Sequence, residues 1–342
     1  MAGRYEPIDS PDETTLFPYH DLTPPTVATV ARARQRIRQH LPETPLVRSE
    51  SLSEVLDAEV LLKREDTLPT GAFKVRGGVN LVASLNDEFR DAGLLAASTG
   101  NHGLSIAWAG REFDVPVTIG VPEDANAGKV DALEQLGAEV IPYGDDYDEA
   151  REHIEKLAVE REARYIHSGN EPRLIAGVGT AGLEILDERP DVDRVFCPVG
   201  GGTAAAGYCL TLGAMADAAI FGVQAEGAPA MYRAWHEETL DGLDSVDTIA
   251  EGVATRVPFA VPTEILQEGL AGFRLVSDDA IADAVARLFE TDRIVMEGAC
   301  ATAVAAAFQA GDEIRGETVV LPVSGRNIDR EKFERLLAER EY

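Results

Sequence analysis

Pro69-Thr70-Gly71-Ala72-Phe73-Lys74-Val75-Arg76-Gly77-Gly78 places a lysine in a chain that has almost none. Of 31 basic residues, five are lysines (Lys63, Lys74, Lys129, Lys156 and Lys332) and the rest arginines. Lys74 stands between Phe73 and Val75 rather than in a charge run. An amine can form a Schiff base and a guanidinium cannot, so a lysine kept here points to amine chemistry. The competing reading is a lysine near the start of a surface helix.

Working outward, strands and helices alternate. Residues 59–64 read as a strand, and a helix carrying Lys74, Leu81 and Leu85 follows Gly71. Further strands are expected at 93–97, 116–121, 138–142, 165–166, 194–198, 219–224 and 318–323. Helices are expected at 26–40, 101–113, 127–136 and 145–161. Leu174, Val178, Ala181 and Ile185 mark one face of another helix. Residues 41–46 read as a rigid turn and residues 241–263 as a long loop. This alternation predicts an α/β, two-domain fold with parallel-type sheets flanked by helices. The expected division is an N-terminal arm (1–25), a large domain (26–89 and 167–342) and a small, mobile inserted domain (90–166).

The chain has 342 residues and a net charge of −29. Such a surface repels nucleic acid and anionic membranes. Acid excess with few lysines suggests adaptation to a high-salt cytoplasm, where the carboxylates are screened; an ordinary acidic mesophile is the alternative. No N-terminal apolar run reads as a signal peptide, and residues 299–308 are too short to span a bilayer. Cys197, Cys209 and Cys300 are far apart and lack CxxC spacing, so they read as reduced, buried cysteines of a cytoplasmic protein.

Three further stretches lie at predicted strand ends, where open α/β sheets bind ligands. Ser98-Thr99-Gly100-Asn101-His102-Gly103 leaves backbone N–H groups at a helix start, suited to a carboxylate, unless Ser or Thr simply caps the helix. Pro198-Val199-Gly200-Gly201-Gly202-Thr203 suits a phosphate, the bland alternative being a tight turn. It is neither GxGxxG nor a Walker loop, which argues against a nicotinamide dehydrogenase. Ser324-Gly325-Arg326-Asn327 offers a hydroxyl for a heterocyclic nitrogen. A Schiff-base lysine, a phosphate cradle, an anion loop and a ring-nitrogen hydroxyl together meet the needs of pyridoxal 5'-phosphate.

On these four motifs the sequence resembles the fold-type II pyridoxal-phosphate enzymes, which have a tryptophan synthase β-like fold, and among them the threonine/serine dehydratase and serine racemase group. The resemblance runs from about Pro42 onward. It implies that Lys74 holds the cofactor as a Schiff base and then acts as the base at Cα. It implies that Phe73 packs beside the ring, Asn101 bonds its 3-oxygen, and Gly200, Gly201, Gly202 and Thr203 hold the phosphate. Ser324 meets the ring nitrogen, and Glu297, in Glu297-Gly298-Ala299, lies near the cofactor. Ser98, Thr99, Gly100, Asn101 and His102 form the substrate loop. Thr99 joins Lys74 as a candidate catalytic residue, where racemases of the group carry a serine, which disfavours racemisation. Gln224 and Ala230 replace the acids of a divalent-cation site, so no metal is expected. The implied activity is β-elimination of water from L-threonine or L-serine to a 2-oxo acid and ammonia, by a homodimer. A 3-hydroxyaspartate ammonia-lyase, whose substrate carries a second carboxylate that Arg326 suits, and a β-replacement or threonine synthase-like enzyme are the alternatives. A non-catalytic cofactor or amino-acid binder is the non-enzyme alternative.

Overall fold

The computed structural model describes residues 22–338. The arm expected over residues 1–25 lies, up to residue 21, outside the described residues. Ten strands follow in order: β1 (Leu46–Arg48), β2 (Glu59–Lys63), β3 (Leu94–Ala97), β4 (Val117–Val121), β5 (Glu139–Pro142), β6 (Arg164–Tyr165), β7 (Arg194–Pro198), β8 (Ala219–Ala225), β9 (Gly272–Val276) and β10 (Thr318–Pro322).

They form two sheets. The first has the order β1-β2-β10-β7-β8-β9, the second β5-β4-β3-β6. Every pairing is parallel except β1 with β2. The second sheet is built wholly from residues 94–165, the first from residues on either side. All residues of β3, β4 and β10 are buried. Unbroken apolar runs such as Thr318-Val319-Val320-Leu321 have no wet face, so helices must cover both sides of the sheet. The helix Gly298–Ala310 does so with nine residues, seven of them alanine, pressed into the first sheet's core. Against the second sheet, one apolar cluster joins Leu94, Ile106 and Ile119 to Val75 and Val79 and to Val30 of the helix Val27–Ile37.

Three expectations need correction, and one strand is added to them. Residues 41–46 do not end as a turn: Leu46 opens β1, which the antiparallel register with β2 recruits. The stripe from Leu174 to Ile185 is two helices, Pro172–Val178 and Thr180–Glu188, joined at Gly179. Gly177 meets the backbone of Arg76 there; a Cβ would lie 2.6 Å from Arg76 O, and only glycine allows the close crossing. Strand β9 went unread, because Gly272 and Arg274 break its apolar run. The expected loop 241–263 contains the short turn Glu251–Val253 and ends in the helix Ala260–Gly269.

Candidate active site

The lysine loop is stitched to the loop after β10. Phe73 N–H donates to Ser324 O at 3.0 Å, and Arg326 N–H to Gly71 O at 3.0 Å. Asn327 Nδ2 donates to Thr70 O at 2.8 Å. Lys74 therefore starts the helix Val75–Ala83 from a fixed backbone. Its ammonium lies 5.2 Å from the Phe73 ring centroid. Burial lowers its pKa to about 8, against the Glu297 charge, which raises it.

Glu297 stands at the start of the helix Gly298–Ala310 and faces Lys74's cleft. Asn101 Nδ2 donates to its two oxygens at 2.8 and 3.1 Å. Asn327 Nδ2 donates in turn to Asn101 Oδ1 at 2.6 Å. Burial pushes Glu297 up to about 7, while the Asn101 hydrogen bonds and the Lys74 charge pull the other way. Burial thus draws both groups toward their neutral forms.

The helix Asn101–Glu112 begins at Gly100 with no side-chain cap. Ser98 Oγ instead accepts from Gly100 N at 3.0 Å. The hydroxyls thus do not cap the helix, and its first-turn N–H groups remain for an anion. Thr99 is half-buried on this loop. His102 is turned inward. Its Nε2 meets Ile166 O at 3.0 Å, and burial, then the Lys74 charge, brings it down to about 4. It ties the helix that follows β3 to the residue that follows β6.

The glycine loop follows β7 and starts the helix Thr203–Tyr208 from Gly202 at φ +85°. A Cβ at Gly200 would lie 2.3 Å from Gly252 O, and at Gly201 2.5 Å from Phe259 Cε2. The loop can approach a phosphate closely because its other side is packed against residues 252–262. Thr203 is buried at its end. These residues fit pyridoxal phosphate: an uncapped glycine cradle for the phosphate, a lysine amine that is part neutral at pH 7–8, and the buried Ser324 hydroxyl.

Beneath the lysine loop lies a fully buried ionic cluster. Arg76 Nε donates to Glu65 at 2.7 Å and Arg76 Nη1 to Glu184 at 2.6 Å. Lys63 Nζ donates to Glu184 at 2.7 Å and to Thr44 O at 2.6 Å. Two cations balance two carboxylates. The fork geometry of Arg76 fixes the helix two residues past Lys74.

The family model for pyridoxal-phosphate dependent enzymes matches residues 37–325. The chain belongs to the pyridoxal-phosphate dependent enzymes. It is 35% identical to the L-threonine ammonia-lyase of Thermotoga maritima over 91% of this chain and 78% of that protein. It is 33% identical to the L-threo-3-hydroxyaspartate ammonia-lyase of Saccharomyces cerevisiae over 93% of this chain and 98% of that one. Its fold superposes on the processed form of threonine deaminase isoform 2 from Solanum lycopersicum with a TM-score of 0.87, at 31% identity, over 96% of this chain and 93% of the other. The fold is therefore that of the fold-type II pyridoxal-phosphate enzymes, and the cofactor is pyridoxal 5'-phosphate.

Lys74, Phe73, Asn101, Glu297 and Ser324 are brought together with the Ser98–His102 loop by the contacts above. The Glu251–Val253 turn and Phe259, which pack on the glycine loop, were not foreseen. Nor was Cys300, whose Sγ accepts Ser324 N–H at 3.2 Å. Asn327 lay inside a quoted motif; the others carried no local signal. Gln224 Oε1 accepts from Tyr232 N at 3.0 Å, and Ala230 is buried nearby on the helix Ala230–Glu237.

Proposed function

We propose that this enzyme dehydrates L-threonine or L-serine, giving a 2-oxo acid and ammonia. The reading is carried by Lys74, a lysine brought down to about 8 between Phe73 and Glu297 at the meeting of three strand-end loops. Bound here, the cofactor supplies an electron sink for charge developing at Cα. Gly200, Gly201, Gly202 and Thr203 would hold its phosphate, and Ser324 would meet its ring nitrogen. The first-turn amides of the helix Asn101–Glu112 hold the substrate carboxylate. Lys74 Nζ, part neutral near pH 8, accepts the Cα proton. Asn101 would turn one of the N–H groups it gives Glu297 toward the ring oxygen. Thr99 borders the opposite face and lacks a second acid of racemase type.

The relatives named for threonine ammonia-lyase activity support this reading. Among the described residues no helix is long and apolar enough to cross a membrane. The protein is a cytoplasmic homodimer suited to high salt, and residues 90–166 close over the substrate. The test is 2-oxo acid release in high-salt buffer from L-threonine, L-serine, D-serine and 3-hydroxyaspartate, with Lys74→Ala as control. Release by the wild type alone supports the reading; no release from any hydroxy amino acid overturns it.

A second reading, 3-hydroxyaspartate ammonia-lyase, is favoured by Arg326. Its side chain lies against Gly71, is exposed, and makes no ion pair among the described residues. A free guanidinium at the edge of the lysine loop suits a second carboxylate. Unchanged substrate preference in Arg326→Gly would remove this reading.

A further inference from the structure

Asn327 closes the turn that follows β10 and carries Ser324. Its backbone is held on both sides: Arg326 N–H donates to Gly71 O at 3.0 Å and Ile328 N–H to Arg326 O at 2.9 Å. One side-chain atom, Asn327 Nδ2, makes two bonds, to Thr70 O at 2.8 Å and to Asn101 Oδ1 at 2.6 Å. An amide side chain carries both protons on nitrogen and only lone pairs on oxygen. Thr70 O is a backbone carbonyl and can only accept, so the nitrogen end of Asn327 must face it. Turned over, Asn327 would set an oxygen against the Thr70 oxygen. Its oxygen end lies instead over Gly71, where a Cβ would come within 2.7 Å of it.

The direction passes on to Asn101. Asn327 gives its second proton to Asn101 Oδ1, so the nitrogen end of Asn101 points the other way, at Glu297. Glu297 does not fix that direction by itself. Burial brings it up to about 7, so near neutral pH part of it is the acid, and an acid can also donate to an amide oxygen. Thr70 O has no second protonation state. The sequence of bonds from Thr70 through Asn327 to Asn101 therefore keeps its sense while Glu297 gains or loses a proton.

We propose that Asn327 is a positioning residue for Asn101: anchored on the Thr70 carbonyl, it holds the Asn101 amide with its nitrogen toward the cleft, so that the cofactor's ring oxygen meets a donor and not a carbonyl oxygen. The proposal rests on the reading that puts Asn101 at the ring oxygen. It holds whichever hydroxy amino acid is the substrate.

The test compares the wild type with Asn327→Ala, Asn101→Ala and the double variant. Two quantities are read besides turnover: the cofactor Kd by absorbance titration, and the pH dependence of the bound cofactor's visible band. Asn327→Ala leaves Asn101 free to turn over. It should weaken cofactor binding roughly two- to tenfold, the size of one hydrogen bond, and shift the band's pH profile. Asn101→Ala should do the same, and the double variant should be no worse than Asn101→Ala alone. Multiplicative effects on Kd would overturn the proposal and leave Asn327 a tie for the lysine loop only, as would an unaltered pH profile in Asn327→Ala. An Asn101→Ala enzyme with unchanged Kd and band would instead remove the reading of Asn101 at the ring oxygen, and the proposal with it. Neutron diffraction from deuterated wild-type holoenzyme decides the direction without any variant. Deuterium on the Asn101 atom facing the ring oxygen supports the proposal; deuterium on the atom facing Asn327 refutes it.

Discussion

Asn101 Nδ2 donates to both carboxylate oxygens of Glu297, joining the helix that follows β3 to the helix that covers the first sheet. The pair shares the cleft with Lys74, whose proton is loosened by burial and held by the Glu297 charge.

Condensation of the apoenzyme with pyridoxal phosphate needs a neutral Lys74. Its rate should rise with pH through about 8 and level off above, since below that the amine is protonated. Glu297 raises the Lys74 pKa, so Glu297→Gln should move the midpoint to lower pH. Stopped-flow absorbance across pH 6–10 (a working range of about four units) reads this. A midpoint that stays put or rises would show that the two groups are not coupled.

Arg76 is 0% exposed and answers both Glu65 and Glu184. Arg76→Met leaves two buried carboxylates against Lys63 alone. The expected loss is about 3–5 kcal/mol, because an uncompensated buried charge remains. Denaturant unfolding at fixed high salt measures it. A loss below about 1 kcal/mol would mean that the cluster is neutral in the folded chain.

Gly201→Ala should weaken cofactor binding, since its Cβ would lie 2.5 Å from Phe259 Cε2 and the loop must move. Phe259→Ala in the same chain removes the obstacle and should restore most of the affinity. If the double variant binds no better than Gly201→Ala, the cradle depends on glycine for the approach of the ligand rather than for the fit of Phe259.

Glu251 takes Lys129 at 3.0 Å and Lys332 at 2.7 Å, and Arg256 pairs with Asp148. These contacts tie the helices Ala127–Gln135 and Tyr147–Glu160 to the turn over the glycine loop. Exposed pairs contribute little to stability, at most about 1 kcal/mol each. Glu251→Gln should therefore leave Tm nearly unchanged while raising KM, and more so at low salt than at high, where screening already weakens the pairs. A KM shift independent of salt would point away from an electrostatic tie.

The parts of this enzyme legible in the sequence are those whose chemistry is local. A lysine among arginines, consecutive glycines after an apolar strand and a serine after β10 each announce a need that neighbours in sequence explain. The Asn101 loop was half legible: its composition fitted an anion site or a cap, and only the bond from Gly100 N–H to Ser98 Oγ separates them. Asn101's partner Glu297 was placed near the cofactor by resemblance, but the bond itself depends on folding across 196 positions. The Glu251–Val253 turn and Phe259 have no periodicity and act only through what they press against. The single stripe from Leu174 to Ile185 concealed a break because Gly179 keeps helical dihedrals, φ −60° and ψ −17°, while the helices change.

Strand β10 lies between β2 and β7, at the middle of the first sheet, although it is the last strand in the sequence. Its loop also completes the lysine turn through Phe73 N–H to Ser324 O. During synthesis, β2, β7, β8 and β9 leave the ribosome with the centre of their sheet missing. The strand that joins the two halves and Ser324, which completes the lysine turn, arrive together, after the other strands of that sheet. A chain stopped before Thr318 therefore has neither a closed sheet nor the contacts that hold the lysine turn.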